Sequence, residues 1–160
     1  MGVVPFLWRW NLPLAWFFEG LKGLNRWQNP PVPSLLAGRL GQMNGHTIIC
    51  GCGPIGYRVV QHLKNNWKPV LVIELNPDTV RSLNNEGITA LFADAAQSET
   101  LALARIREAC SLIVTLPDFN ATRTIITNAL RLNPDLFIMA RVRFSSQVEE
   151  LHKTGASVVI

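Results

Sequence analysis

Six consecutive residues, Gly51-Cys52-Gly53-Pro54-Ile55-Gly56, constrain this chain more than any other stretch. They follow His46-Thr47-Ile48-Ile49-Cys50, an apolar and β-branched run that reads as a buried strand. G-x-G-x-x-G at the point where a strand passes to a helix has a physical logic. Gly51 permits a tight turn, Gly53 removes a side chain so that backbone can approach a pyrophosphate, and Gly56 lets the helix lie close to the strand. The N–H groups at the helix start, around Ile55 and Gly56, then face an anion. Pro54 suits the first turn, where an N–H has no helical partner to lose.

Alone, the motif is equally a turn between packed elements, and two further features favour binding. Ile55, Val59, Val60 and Leu63 recur at helical spacing, so one face of the next segment can lie on a sheet. A second apolar run, Val70 to Ile73, ends in Glu74, 18 residues beyond Gly56. A carboxylate there can accept hydrogen bonds from both ribose hydroxyls and would repel a 2′-phosphate. The expected ligand is an adenine nucleotide, NAD(H) or ATP, ADP or AMP, rather than NADP. The alternative for Glu74 is a solvated carboxylate at a strand end.

From Gly45 onward the pattern alternates regularly. Strands are expected near 46–51, 69–74, 88–92, 111–115, 136–141 and 157–160, and helices near 54–66, 77–85, 98–108, 118–132 and 145–154. Strands that alternate with helices call for an α/β fold, a doubly wound parallel sheet of six strands covered on both faces. Asn76-Pro77-Asp78 opens one helix, Gly87 closes it, and Asn133-Pro134-Asp135 precedes the fifth strand. Three later stretches fall at the carboxyl ends of strands, where open α/β sheets bind ligands. Asp94, within Ala93-Asp94-Ala95, is a candidate to read an adenine edge together with adjacent backbone. Thr115-Leu116-Pro117-Asp118 follows the fourth strand, and Ala140-Arg141-Val142-Arg143 closes the fifth, where one arginine could approach phosphates. By spacing alone, a helix cap, a turn former or a surface charge accounts for each equally well.

The 160 residues suit one domain with an appendage, residues 45–160 and 1–44. Hydrophobic residues make up 48% of the chain, and the excess is uneven. Trp8, Trp10, Trp16 and Trp27, with Phe6, Phe17 and Phe18, are interleaved with Arg9, Lys22 and Arg26. Arg9, Asn11 and Glu19 keep any run below the roughly 20 apolar residues that cross a bilayer. The mixture suits a headgroup interface or a partner's groove, so residues 1–27 are expected to contact a membrane surface or a membrane partner. The alternative is packing on the globular domain or on another subunit. Asn29-Pro30-Pro31-Val32-Pro33-Ser34 reads as a stiff spacer, followed by a short helical piece from Leu35 to Gln42.

Of the net charge of +4, residues 1–44 supply +3, which leaves the globular part nearly neutral. No basic face for nucleic acid is expected there. Cys50, Cys52 and Cys110 make no disulfide framework, and no second Cys/His pair completes a metal site, so they read as core and loop thiols of a reducing compartment. His46, His62 and His152 fall on different elements, and no nucleophile elbow or Tyr-x-x-x-Lys pair is present. No catalytic residue and no metal ligand is assigned, and the chain does not read as an enzyme.

The ordered set of motifs resembles one family closely, the nucleotide-binding lobe of regulator-of-K⁺-conductance domains, also called RCK, KTN or TrkA-N. The likeness runs from about Gly45 to Ile160. It is carried by His46 to Gly56, Val72-Ile73-Glu74 with Asn76-Pro77, Ala93-Asp94-Ala95 with Leu101, and Ile106 to Asp118. Asn133-Pro134-Asp135 before Ile138-Met139-Ala140-Arg141, and Leu151 with Gly155 to Ile160, complete it. The resemblance implies a Rossmann-like lobe that binds NAD(H) or an adenosine phosphate and reports occupancy to a K⁺ channel, uptake system or efflux antiporter. It also implies pairing of lobes into a homodimer or higher ring, in the cytoplasm at the inner face of the plasma membrane.

Carried across, Gly51, Cys52, Gly53, Pro54, Ile55 and Gly56 form the phosphate loop and Glu74 is the ribose ligand. Asp94 and Ala95 contact adenine, and Thr115, Leu116 and Arg141 form the further rim. Many members have a polar residue where Pro54 stands, so the resemblance favours ATP less strongly. Ala93 replaces a common glycine, and the chain stops where a second regulatory lobe would continue. Two other classes remain open on sequence alone: an NAD-dependent oxidoreductase fragment, and a structural Rossmann subunit of a larger assembly.

Overall fold

Residues 34–160 are described by a computed structural model. The aromatic segment and proline-rich spacer expected in residues 1–33 lie outside the described residues. A short helix, α1 (Ser34–Gly41), leads to the first strand, β1 (Thr47–Cys50). Every β1 residue is buried, as its apolar run requires. The chain continues through α2 (Pro54–Asn65), β2 (Val70–Glu74), α3 (Pro77–Asn85), β3 (Thr89–Phe92), α4 (Ser98–Leu103) and β4 (Ser111–Val114). It ends with α5 (Phe119–Leu132), β5 (Phe137–Ala140), a 3₁₀ turn at Ser145–Gln147, α6 (Val148–Thr154) and β6 (Val158–Val159).

The six strands pair in the order β3-β2-β1-β4-β5-β6, all parallel. This is the Rossmann-like doubly wound sheet expected from the alternating pattern. Each parallel pairing needs a right-handed crossover, so the helices fall on both faces. Ile49 and Val72 share one face with Val60 of α2 and with Val80 and Leu83 of α3. On the other face Ile48, Leu71, Leu112 and Ile138 lie in register and are fully buried. Burying each such side chain contributes about 1.5–3 kcal/mol before the entropy of ordering is subtracted. Burial falls from the centre outward, from four buried residues in β1 to two half-buried ones in β6.

Helix entries follow local chemistry. The Asn76 side chain accepts from the N–H of Asp78 and Thr79 with Pro77 in the first turn, and Asp118 accepts from Ala121. α4 departs from expectation. It ends at Leu103 rather than near 108, because Arg105 takes a left-handed conformation (φ 54°). Ile106 then donates its N–H back to the Leu101 carbonyl, and its side chain turns fully into the core. The Arg105 guanidinium donates to the Gly41 carbonyl at 2.9 Å and pairs with Glu108, which ties the end of α1 to this turn.

Candidate nucleotide site

The chain runs outward from β1 in both directions, through β2 on one side and β4 on the other. The strand order reverses between β1 and β4, the switch point outside which open α/β sheets bind ligands. Strand register brings Cys50 beside Ile73 and Val114, so Gly51, Glu74 and Thr115 emerge at one edge. Asp94 and Ala95 follow β3 one strand further out, beyond β2, and Arg141 follows β5 on the opposite side, anchored by its N–H to the Val114 carbonyl.

Packing explains two of the three motif glycines. Gly51 has φ +88°, and a Cβ there would lie 2.7 Å from Leu116 Cδ2. A Cβ on Gly56 would collide with the Gly51 carbonyl oxygen and stand 2.9 Å from Thr115 Oγ1. That hydroxyl donates to the Gly51 carbonyl at 3.0 Å, which stitches the end of β4 to the loop. Gly53 is different. Its backbone (φ −67°, ψ −170°) is open to any residue, and a Cβ would meet nothing within 4 Å. Packing alone does not demand glycine at that point, and the space beside it is open.

Gly53 also caps α2, and no side chain caps that helix, unlike α3 and α5. Pro54 occupies the first turn, which leaves the Ile55 and Gly56 N–H groups as the donors at the helix end. With the helix dipole they favour an anion.

Glu74 points into the same loop. Its Oε2 accepts from the Cys52 N–H at 2.6 Å, and its Oε1 accepts from Leu75 and Asn76 at 2.7 and 2.9 Å. A carboxylate has about four acceptor positions, so about one remains open in this arrangement. The expected grip on both ribose hydroxyls therefore begins as one free acceptor, and the second requires a backbone donor to yield. Asp94 Oδ1 accepts from the Ala96 N–H at 2.9 Å. Gly51, Ile73, Glu74, Asp94, Ala95 and Leu116 line a cleft of about 40 Å³, or about 260 Å³ with the part open to solvent. Leu116 stands over Gly51 at its inner end. Leu75, 61% exposed, also lines this cleft and was not singled out by sequence, where it reads as the residue leading into a helix.

The thiols of the strand tip are held in the protonated form. Burial, and then the Asp94 charge, push Cys50 up to about 12 from 9.0. Burial, Glu74 and Glu86 push Cys52 up to about 11 from 9.0. Cys52 packs in the apolar cluster below α2 and α3, while its backbone N–H is bonded to Glu74. Among the described residues no cluster of His, Cys, Asp or Glu is arranged to hold a metal, and no helix is long and apolar enough to cross a membrane.

The K⁺ efflux antiporter KefB of Alkalimonas amylolytica, itself a provisional assignment, is 30% identical over 166 residues, which cover 100% of this chain and 24% of that protein. The chain thus spans about a quarter of the relative's length. The crystal structure of the TrkA-N domain of the inner membrane protein ybaL from Escherichia coli superposes with a TM-score of 0.72 at 29% identity, covering 74% of this chain and 88% of that one. The GsuK channel bound to NAD shares the fold (TM-score 0.69, 22% identity, 92% of this chain and 27% of that one). It has also been solved bound to ADP, with the same TM-score at 19% identity, covering 94% and 40%. The TrkA-N domain family model matches residues 47–160, from the first residue of β1 through the last strand. That match takes in the whole sheet and every loop around the crevice, and this chain belongs to the TrkA-N domain family.

Proposed function

We propose that residues 45–160 are the nucleotide-sensing regulatory domain of a K⁺ channel or K⁺ transport system. The ligand is NAD(H) or an adenosine phosphate, seated over Gly53 and the start of α2. The carrying observation is the start of α2, where no side chain caps the helix and the space beside Gly53 is open. The uncapped helix supplies donors for phosphate, and Glu74 supplies an acceptor for ribose. Asp94 with Ala95 faces the adenine, Thr115 and Leu116 form the inner wall, and Arg141 lies on the phosphate side. NAD and ADP on a structural neighbour are consistent with the reading, as are relatives named for K⁺ movement.

Nucleotide occupancy would act by favouring one arrangement of paired lobes. The partner's response cannot exceed the difference in affinity between the two arrangements. A tenfold preference supplies about 1.4 kcal/mol per site. The working unit is a homodimer or ring at the inner face of the membrane, with residues 1–27 as the link to a membrane component.

The test is mass spectrometry of the nucleotide that copurifies with the full chain, followed by calorimetric titration of NADH, NADPH, AMP, ADP and ATP. Binding of an adenosine nucleotide without turnover of NADH supports the sensor. Hydride transfer to an added substrate would favour an oxidoreductase fragment, and complete absence of nucleotide binding would leave a structural subunit.

A further inference from the structure

At the amino end of the sheet, opposite the crevice, Trp67 is 94% exposed with φ 55°. A bulky aromatic side chain seldom takes that left-handed conformation, which glycine or asparagine adopts at lower cost. The turn is held by Trp67 N–H to the Lys64 carbonyl and Lys68 N–H to the Leu63 carbonyl, both 3.0 Å. It therefore holds the Trp67 backbone so that the indole projects into solvent. The protein's own core gains almost no burial from it.

Beside the indole is a cavity of about 350 Å³. Met43, Val60, Val70 and Ile88 contribute its apolar wall, and Lys64 and Lys68 its rim. Lys64 Nζ donates to the Glu86 carbonyl, whereas Lys68 makes no side-chain hydrogen bond or ion pair among the described residues. The Glu86 carboxylate is engaged by Tyr57 and Gln61.

Charge divides along the strand axis. The turns and last helical turns at this end carry Lys64, Lys68, Arg105, Arg107, Arg131 and Lys153 against Glu86, Glu108 and Asp135, with Arg105 paired to Glu108 and Lys153 to Glu149. The crevice end carries Glu74, Asp78, Asp94 and Asp118 against Arg141 and Arg143. The chain also enters β1 at the basic end, through residues 42–46.

We infer that the Trp67 turn docks on an anionic phospholipid surface, the indole at headgroup depth and Lys64 and Lys68 over the phosphates. An indole beside lysines, next to an apolar recess, has the chemistry of such an interface. The basic end of the domain then faces the bilayer and the acidic crevice faces away from it. This orientation depends on neither the nucleotide reading nor residues 1–33.

The test uses the full chain with Trp8→Phe, Trp10→Phe, Trp16→Phe and Trp27→Phe, so that emission reports Trp67 alone. Vesicles of phosphatidylcholine, with or without phosphatidylglycerol, are titrated in, and brominated lipids serve as quenchers. The expected result is a blue shift and quenching only with phosphatidylglycerol, both reversed by high salt. Lys64→Ala with Lys68→Ala should weaken vesicle affinity roughly thirtyfold. Lys68→Glu alone, which removes no described bond, should weaken it by at least several-fold with an unchanged thermal midpoint. Unshifted Trp67 emission on anionic vesicles, equal response to neutral vesicles, or indifference to Lys68→Glu would each overturn the inference.

Discussion

The Cys52 backbone N–H and Glu74 Oε2 meet at 2.6 Å, which joins the glycine loop after β1 to the tip of β2. The bond orients the carboxylate and also fixes the loop that is proposed to receive phosphate. In the proposed site, ribose and phosphate binding would thereby be coupled through one side chain.

Glu74→Ala removes the proposed ribose acceptor and the partner of three backbone N–H groups. Affinity for an adenosine nucleotide should fall by about 1–3 kcal/mol, the range for losing a charge-assisted hydrogen bond. Calorimetric titration checks this, and an unchanged affinity removes the ribose assignment. With Glu74 intact, NADH should bind more tightly than NADPH, because the carboxylate repels a 2′-phosphate.

Gly53→Ala separates a ligand requirement from a folding requirement. The added methyl meets nothing in the protein, so the stability cost should be no more than the loss of a favourable N-cap residue, about 1 kcal/mol. Nucleotide affinity should fall about tenfold or more, as the methyl enters the space assigned to pyrophosphate. Gly56→Ala, which meets the Gly51 carbonyl, should instead cost roughly 1–3 kcal/mol in denaturant unfolding. Equal affinity of Gly53→Ala and the parent chain would leave Gly53 without a role.

Thr115→Val keeps the volume but removes the hydroxyl that donates to the Gly51 carbonyl. A loss of about 1 kcal/mol in stability is expected, with weaker nucleotide binding because the loop is no longer held to β4. Urea titration with and without nucleotide measures both.

The buried thiols make stability fall at alkaline pH. In the unfolded chain they release protons near 9.0, whereas the folded chain holds them to about 11 at Cys52 and about 12 at Cys50. Between those values the unfolded state binds fewer protons, so unfolding becomes easier as pH rises. Cys50→Ala should flatten the decline of the urea midpoint above pH 9 relative to the parent chain. Parallel curves would show that Cys50 does not contribute.

Most of the fold was legible because its causes are local. The alternation of β-branched runs with helical periodicity, punctuated by Asn76-Pro77 and Asn133-Pro134, places every strand within a residue or two of its observed position. The exception is α4, where neither glycine nor proline marks the stop. Arg105 adopts a left-handed backbone because Ile106 gains full burial and its guanidinium gains Gly41 and Glu108, partners invisible in a local window.

For the candidate site, the chain alone named the glycine loop and the acidic strand tip, since strand, turn and helix signals lie within a few residues of each other. It could not say that the space beside Gly53 is open, that Glu74 spends an oxygen on Cys52, or that Leu116 stands over Gly51. Those contacts join residues separated by 22 positions for Cys52 and Glu74 and by 64 for Gly51 and Thr115. They exist only once strand order and register have been set by packing across the whole sheet. Local periodicity therefore determined what the elements are, and cooperative burial alone decided which of their ends meet.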